Sequence, residues 1–248
     1  MPDHRPPAFF ALPHHLDQWQ STLGWQPTEA QLDQFQRLYD RILLGNQQQN
    51  LTRITEPSEF WEKHLWDSLS GTMPYLTDSS VHRVVDIGTG AGFPGLPLAI
   101  ARSDWDMTLL DATRKKIEFV RSLLPSLSLT NVQPMVGRAE TTGQLPTHRE
   151  QYSLVLLRAV AAPSVCAEYA LPLATVGGRV VLYRGQWTAE DERLLTTAAE
   201  TLGGAIASVE AFTTPLTHGI RHCIHLTKIK PTPPDYPRAI GIPKHHPL

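Results

Sequence analysis

Two carboxylates and a run of glycines stand closest to chemistry in this chain. Between His82 and Lys116 the sequence reads HRVVDIGTGAGFPGLPLAIARSDWDMTLLDATRKK. A β-branched run ends at Asp86, and Gly88, Gly90 and Gly92 follow with one residue between each. A second apolar run then ends at Asp111. Glycines so spaced permit positive φ and let backbone amides approach a ligand. Pro94 suits the first turn of a helix, where its missing N–H is no loss. This is how α/β proteins hold an adenosine-containing ligand at the carboxyl ends of their strands.

Charge bears on which ligand that is. A literal G-x-G-x-x-G runs from Gly90 to Gly95, a weak signal for a nicotinamide dinucleotide. It begins too late, because Asp86 and Gly88 already occupy the turn after the strand. Asp86 is expected to face the place of a pyrophosphate, where like charges are unfavourable. A ligand carrying an ammonium and a sulfonium is attracted instead, and S-adenosylmethionine is such a ligand. Asp111 reaches ribose hydroxyls in either case and does not discriminate. A third reading needs no ligand: a structural glycine turn in which Asp86 caps the next helix.

The elements that position these residues follow from periodicity. "VVDI", "MTLLD", "NVQPMV", "YSLVLL" and "RVVLY" read as short buried strands. Helical stretches alternate with them near residues 94–102, 114–124, 163–173 and 190–202. That order implies parallel strands with right-handed crossovers. "AIASVEAF" and "HCIHLTKI" follow with no helix between them and must pair antiparallel. The expectation is an α/β fold with a seven-stranded, mostly parallel sheet ending in an antiparallel hairpin. Ahead of the sheet, "PTEAQLDQFQRLYDRILL" puts Leu32, Phe35, Leu38 and Ile42 on one helical face, with Thr28 and Gln31 at capping-box spacing. "SEFWEKHLWDSL" predicts a second helix with a Trp61, Leu65, Leu69 stripe and Ser58 as its cap. The expected division is an N-terminal extension at 1–27, a helical cap at 28–75, the sheet domain at 76–230 and a Pro-rich basic tail at 231–248 with no core of its own.

Composition sets bounds. The 248 residues are 41% hydrophobic, enough for a full core. No apolar run reaches the roughly 18 residues that span a bilayer, and the proline- and histidine-flanked N-terminus is no signal peptide. Cys166 and Cys223 are isolated, which excludes a CxxC zinc site and suits a reducing cytoplasm. A formal charge of −2 gives no global nucleic-acid signature, so RNA contact must rest on local clusters. Arg114, Lys115 and Lys116 open a helix, where cations oppose the macrodipole, and so hint at phosphate contact. Arg221 with Lys228 and Lys230, and Arg238 with Lys244, form two more. His218, His222 and His225 read as exposed hairpin histidines rather than metal ligands, and His245-His246 as mobile surface. His64 and Asp67 read as an intrahelical pair, or as contacts to RNA or donor.

"NLTRITEPSEFWEKHLWDSL" followed by "VVDIGTGAGFPGLPLAI" resembles the bacterial 16S rRNA guanine-N7 methyltransferases, also called glucose-inhibited division protein B. The likeness continues through "LLDATRKKIEFVR", "NVQPMVGRAE", "LRAVA" and "HGIRHCIHLTKIK", from about Leu32 to the C-terminus. It implies a Rossmann-like class I methyltransferase with a helical cap, and S-adenosylmethionine as donor with S-adenosylhomocysteine as product. The target it implies is a guanine in the decoding-region loop of 16S rRNA, met in the small ribosomal subunit or its rRNA by a monomer without metal or membrane. Carried over by motif, Gly88, Phe93, Ala139, Glu140 and Arg158 contact the donor beside Asp86, Gly90 and Asp111, with Phe93 packing on it and Glu140 near the adenine edge. Arg138 and Arg158 serve the target base, and Arg114, Lys115, Arg138, Arg184 and Arg221 the RNA. The chain departs from the family pattern at Leu157, at Arg184 and at Gly45-Asn46. Guanine N7 has a free lone pair, so no general base is needed, and catalysis is orientation and desolvation. Rival readings are a small-molecule or protein methyltransferase, an NAD(P) oxidoreductase and a non-enzymatic RNA-binding protein.

Overall fold

The computed structural model describes residues 10–80 and 82–248; residues 1–9 of the expected N-terminal extension lie outside the described residues. The chain begins with α1 (Leu16–Leu23) and α2 (Glu29–Asn46). Thr28 and Gln31 close the expected capping box on α2, and Phe35, Leu38 and Ile42 are buried along its face. α1 was not legible. Its Trp19 and Leu23 are buried, and Trp19 packs edge-on against Trp61 at 4.9 Å and Trp25 at 5.7 Å. Aromatic pairs of this kind add about 0.5–1.5 kcal/mol each beyond area burial, so this part of the extension belongs to the cap.

The second cap helix is continuous but not uniform. α3 (Pro57–Phe60) passes through a π-helical turn, Trp61–Trp66, into α4 (Asp67–Ser70). Its N-cap is Glu56, which accepts from the Glu59 amide, rather than the expected Ser58. The expected Trp61, Leu65, Leu69 stripe is buried, but so is nearly every other residue from Phe60 to Ser70. A helix buried on all sides must satisfy its polar groups within the protein; the Ser68 and Ser70 hydroxyls donate back to the His64 and Asp67 carbonyls, while Glu62 and His64 turn to other elements. Glu62 accepts from the Leu216 and Thr217 amides and the Thr217 hydroxyl. His64 Nε2 lies 2.8 Å from the Thr52 hydroxyl, and the His64 ring stacks on Phe93 at 4.4 Å. The intrahelical His64–Asp67 pair does not form, because both side chains are committed elsewhere. A short helix, α5 (Met73–Leu76), leads to the sheet.

The strands and their crossover helices follow as β1 (Arg83–Ile87), α6 (Gly95–Ala101), β2 (Asp106–Asp111), α7 (Arg114–Leu127), β3 (Val132–Val136), α8 (Ala139–Thr142), β4 (Tyr152–Arg158), α9 (Pro163–Ala170), β5 (Ala174–Arg184), α10 (Ala189–Thr201), β6 (Gly204–Thr213) and β7 (Ile220–Lys228). They form one sheet in the order β3-β2-β1-β4-β5-β7-β6. β1 to β5 pair in parallel, and β7 runs antiparallel to both β5 and β6. Helices cover both faces, which is why the parallel strands read as continuous apolar runs rather than alternating ones. Because β7 lies inside the sheet, His225 is buried at 5% exposure, correcting its reading as an exposed hairpin histidine. At the Gly45 departure, a Cβ would stand 2.3 Å from the Phe119 ring, so glycine there lets α2 close on α7.

The tail does have anchors. Residues 231–248 lie along α8 and α9 and end in α11 (Ile242–His245). Arg238 pairs with the buried Glu168 at 2.6 Å, and Arg149 donates to the Thr232, Pro233 and Tyr236 carbonyls. Pro243 is buried, while His245 and His246 are exposed. No helix among the described residues is long and apolar enough to cross a membrane.

Burial, with the charges of Arg158 and Lys63 beside it, lowers the His64 pKa to about 3. Below the ordinary value of 6.5 the unfolded chain takes up a proton that the folded chain refuses. Stability from this group is therefore complete above pH 6.5 and is lost as pH falls toward 3. In His64→Phe, the acid-side decline of unfolding free energy across that window becomes shallower than wild type by up to about 1.4 kcal/mol per pH unit. Urea titrations at a series of pH values measure it, and parallel declines in the two proteins contradict it.

Candidate functional site

Two cavities open at the carboxyl ends of the parallel strands. The smaller, about 130 Å³, is lined by Ile87 and Gly88 after β1, Asp111 and Ala112 after β2, Gly137 to Glu140 after β3, Val160 after β4, and Tyr169 on α9. Gly88 stands at φ +72°, and a Cβ there would lie 2.8 Å from Val160 Cγ2. Only glycine both makes the turn and lets the Val160 loop close over it. Asp111 Oδ2 accepts from the Gly90 amide at 3.0 Å and its Oδ1 from the Thr113 amide at 2.7 Å, with Lys116 Nζ 3.8 Å away. A carboxylate has about four lone-pair sites, so Asp111 keeps acceptor capacity toward the cavity. Tyr169 has its hydroxyl pKa pushed up to about 12, first by burial and then by the charge of Glu140.

Asp86 does not line this cavity, which corrects its expected place. Its side chain is fully buried beneath the loop, where Oδ2 accepts from the Thr89 hydroxyl at 2.6 Å and the Gly95 amide at 2.9 Å. Asp86 Oδ1 is buried without a protein partner. Burial raises its pKa to about 6 against the pull of those two hydrogen bonds. Asp86 thus ties the glycine loop to the start of α6. Phe93 lines neither cavity. Its ring stacks on His64 at 4.4 Å and meets Phe60 edge-on at 5.8 Å, with the Arg158 guanidinium 5.6 Å from its centre.

The larger cavity, about 580 Å³, gathers residues far apart in sequence. Arg158 ends β4 and Ala159 follows it, Tyr183 and Arg184 end β5, Thr188 and Asp191 open α10, Arg221 and Cys223 lie on β7, and Asp67 comes from the cap. Asp67 is the link between the arginines. Its Oδ2 takes a hydrogen bond from Arg158 Nη1 at 3.0 Å, and its Oδ1 lies 3.6 Å from Arg221 Nε. Arg158 Nη1 also donates to the Lys63 carbonyl, and Arg184 Nη1 to the Ala161 carbonyl. The Tyr183 hydroxyl donates to the Ser68 carbonyl at 2.8 Å. Burial pushes the Tyr183 hydroxyl and the Cys223 thiol well above their ordinary values. Asp191 accepts from Thr188 in the capping box of α10. His222 also lines the cavity, its Nδ1 3.1 Å from the Gly185 carbonyl.

The structure therefore brings together Arg158, Arg184 and Arg221, and separately Gly88, Asp111, Arg138, Ala139 and Glu140. Arg138 is exposed at the rim of the small cavity and does not join Arg158, correcting the expectation that both serve the target base. Arg114 and Lys115 are exposed at the start of α7 and line neither cavity. Val160, Tyr169 and Tyr183 were missed, and Asp67 was read as a partner of His64 or a contact to RNA or donor, not as the link between arginines. For that link a signal existed, since an acid among the large apolar residues of this helix needs a buried partner. Among the described residues, no three His, Cys, Asp or Glu side chains gather as a metal site.

Comparison with known proteins identifies the fold and the family. The precorrin-6y C5,15-methyltransferase of Geobacter metallireducens GS-15 superposes with a TM-score of 0.51 at 16% identity, over 77% of this chain and 98% of its own. TYW2 of M. jannaschii, solved in complex with AdoMet, gives 0.52 at 15% identity, over 71% of this chain and 77% of its own. The fold is that of the class I S-adenosylmethionine-dependent methyltransferases. The ribosomal RNA small subunit methyltransferase G of Nostoc punctiforme is 54% identical over 96% of this chain and 98% of its own length. The model of the GidB family, described as rRNA small subunit methyltransferase G, matches residues 31–223, and the chain belongs to that family.

Proposed function

We propose that this chain transfers a methyl group from S-adenosylmethionine to N7 of a guanine in the decoding-region loop of 16S rRNA, acting in the cytoplasm as a monomer on the small subunit or its rRNA. The observation that carries this reading is the pairing of two cavities at the carboxyl edge of one sheet. One is a small heterocycle-sized recess beside a ribose-type acid, and the other is walled by three arginines.

The donor set fits the cofactor. Asp111 offers an acceptor for ribose hydroxyls, Val160 and Ala139 offer apolar walls, and Glu140 offers a carboxylate for an exocyclic amine. When bound, S-adenosylmethionine supplies an electrophilic methyl on a sulfonium. Everything else is the work of the chain. Guanine N7 needs no deprotonation, so the reaction asks for no general base from the large cavity. Arg158, Arg184 and Arg221 hold a phosphate or stack on an unstacked base. Asp67 fixes two of these arginines, so orientation is set before the RNA arrives. Asp67 and Asp191 are also the carboxylates beside a purine that becomes cationic on methylation.

The decisive assay incubates purified protein with labelled S-adenosylmethionine and small subunits or rRNA that lack the modification, then maps the methylated base. Methyl at guanine N7 is expected. No transfer, or transfer to another base or a small molecule, overturns the reading. Asp111→Ala loses charge-assisted hydrogen bonds of about 1.5–3 kcal/mol, so the dissociation constant for S-adenosylhomocysteine rises about 10- to 100-fold. Calorimetry reads it, and unchanged affinity contradicts the placement of Asp111. Asp67→Asn lets Arg158 and Arg221 drift apart, and kcat on rRNA falls about a hundredfold while donor affinity holds. Arg158→Ala impairs methylation in the same sense. Full activity in a folded Asp67→Asn protein contradicts the role given to the cap.

A further inference from the structure

The tail meets the donor recess from behind. Glu140 lines the recess on one side and, on the other, a groove between α8 and the tail. Its Oε1 accepts from the Gly241 amide at 3.2 Å. Glu168, next in sequence to the recess residue Tyr169, is fully buried and accepts four hydrogen bonds from Arg238: Oε1 from the backbone amide and from Nε, each at 2.9 Å, and Oε2 from Nε at 3.2 Å and Nη2 at 2.6 Å. Arg149 ties the start of the tail to the end of α8, donating to the Gly143 carbonyl and to the Thr232 and Tyr236 carbonyls. Gln144 donates to the Pro237 carbonyl, and a Cβ on Gly143 would stand 2.9 Å from Pro237 Cγ.

α8 is a single turn of four residues. An isolated turn that short has no stability of its own, so its posture is set by what it packs against. The tail is that partner, and it clasps α8 to α9. We propose that residues 235–246 are a positioning strap for the methyl donor. Through Gly241 on Glu140 and Arg238 on Glu168, the strap holds Glu140 and Tyr169 at the spacing the adenine needs. It sets donor affinity without touching the reacting atoms or the RNA cavity. The inference rests on the donor-site reading above.

By linkage, whatever the strap does for the donor the donor does for the strap. The test uses three proteins: wild type, a chain ending at Pro234, and Glu168→Gln/Arg238→Gln, which removes the charge pair but keeps polar groups in place. Calorimetric titration with S-adenosylhomocysteine is expected to give a dissociation constant about tenfold weaker in both variants. KM for rRNA and kcat at saturating donor stay at wild-type values, a split that general destabilisation would not produce. In the wild-type chain, S-adenosylhomocysteine slows amide hydrogen exchange at Gly241 and Ile242. If the shortened chain does not fold, the double variant decides. Wild-type donor affinity in a folded variant, or tail exchange indifferent to S-adenosylhomocysteine, overturns the strap and leaves the donor site standing. A wild-type chain that does not bind S-adenosylhomocysteine overturns the donor site itself, and the strap with it.

Discussion

The site depends on one carboxylate held between two guanidiniums. Asp67 leaves the cap, Arg158 ends β4 and Arg221 lies on β7, so three elements distant in sequence meet at one buried acid. Two arginines cannot face one cavity from two strands of one sheet without mutual repulsion, which grows as water is excluded. The acid between them removes most of that repulsion and fixes both side chains. Desolvation offsets much of the Coulomb attraction of such a group, so its worth lies in geometry rather than stability. It converts two flexible cations into one rigid surface.

The same logic runs along the whole cap helix. Glu62 gathers the loop before β7, His64 meets Phe93 after the glycine turn, and Ser68 receives the Tyr183 hydroxyl from β5. A regular α-helix places residues on one face at intervals of three and four. The π-helical turn over Trp61–Trp66 widens that spacing, and π-turns are frequent at functional sites. Here it lets consecutive polar residues reach different partners, while Arg158 takes the Lys63 carbonyl. The cap is therefore less a cover than the part that sets the relation between glycine loop, arginines and hairpin.

What was legible in the sequence were features that one element decides. The seven strands, the capping box at Thr28 and the burial of Phe35 and Ile42 follow from local period and local chemistry. α1 escaped because its eight residues carry few apolar positions and draw their stability from Trp19 packing on residues far along the chain. The tail escaped because proline removes the helical and strand periodicities, while its anchors, Glu168 and Arg149, lie more than sixty residues away. The arginine cluster was half legible. Arg158, Arg184 and Arg221 could be named from motifs and strand ends, but Asp67, which joins two of them, needed the cap's docking to be known.

Asp86 shows how a correct selection can rest on the wrong contact. From sequence it discriminates against a pyrophosphate by facing it, yet in the fold it lies beneath the loop and faces no ligand. The discrimination survives by another route. Helices that bind dinucleotide phosphates do so through free amides at their first turn. At α6, one of those amides, from Gly95, already donates to Asp86 Oδ2 at 2.9 Å. A Cβ on Gly95 would stand 2.9 Å from the same oxygen and 2.1 Å from Leu109, so carboxylate, strand and helix start are closely packed. An incoming phosphate would find that donor taken and a second anion below it. A donor whose polar end is cationic asks nothing of that amide. The loop thus rejects one ligand class by capping its own helix from within, and leaves recognition of the other to Asp111 and the recess beyond.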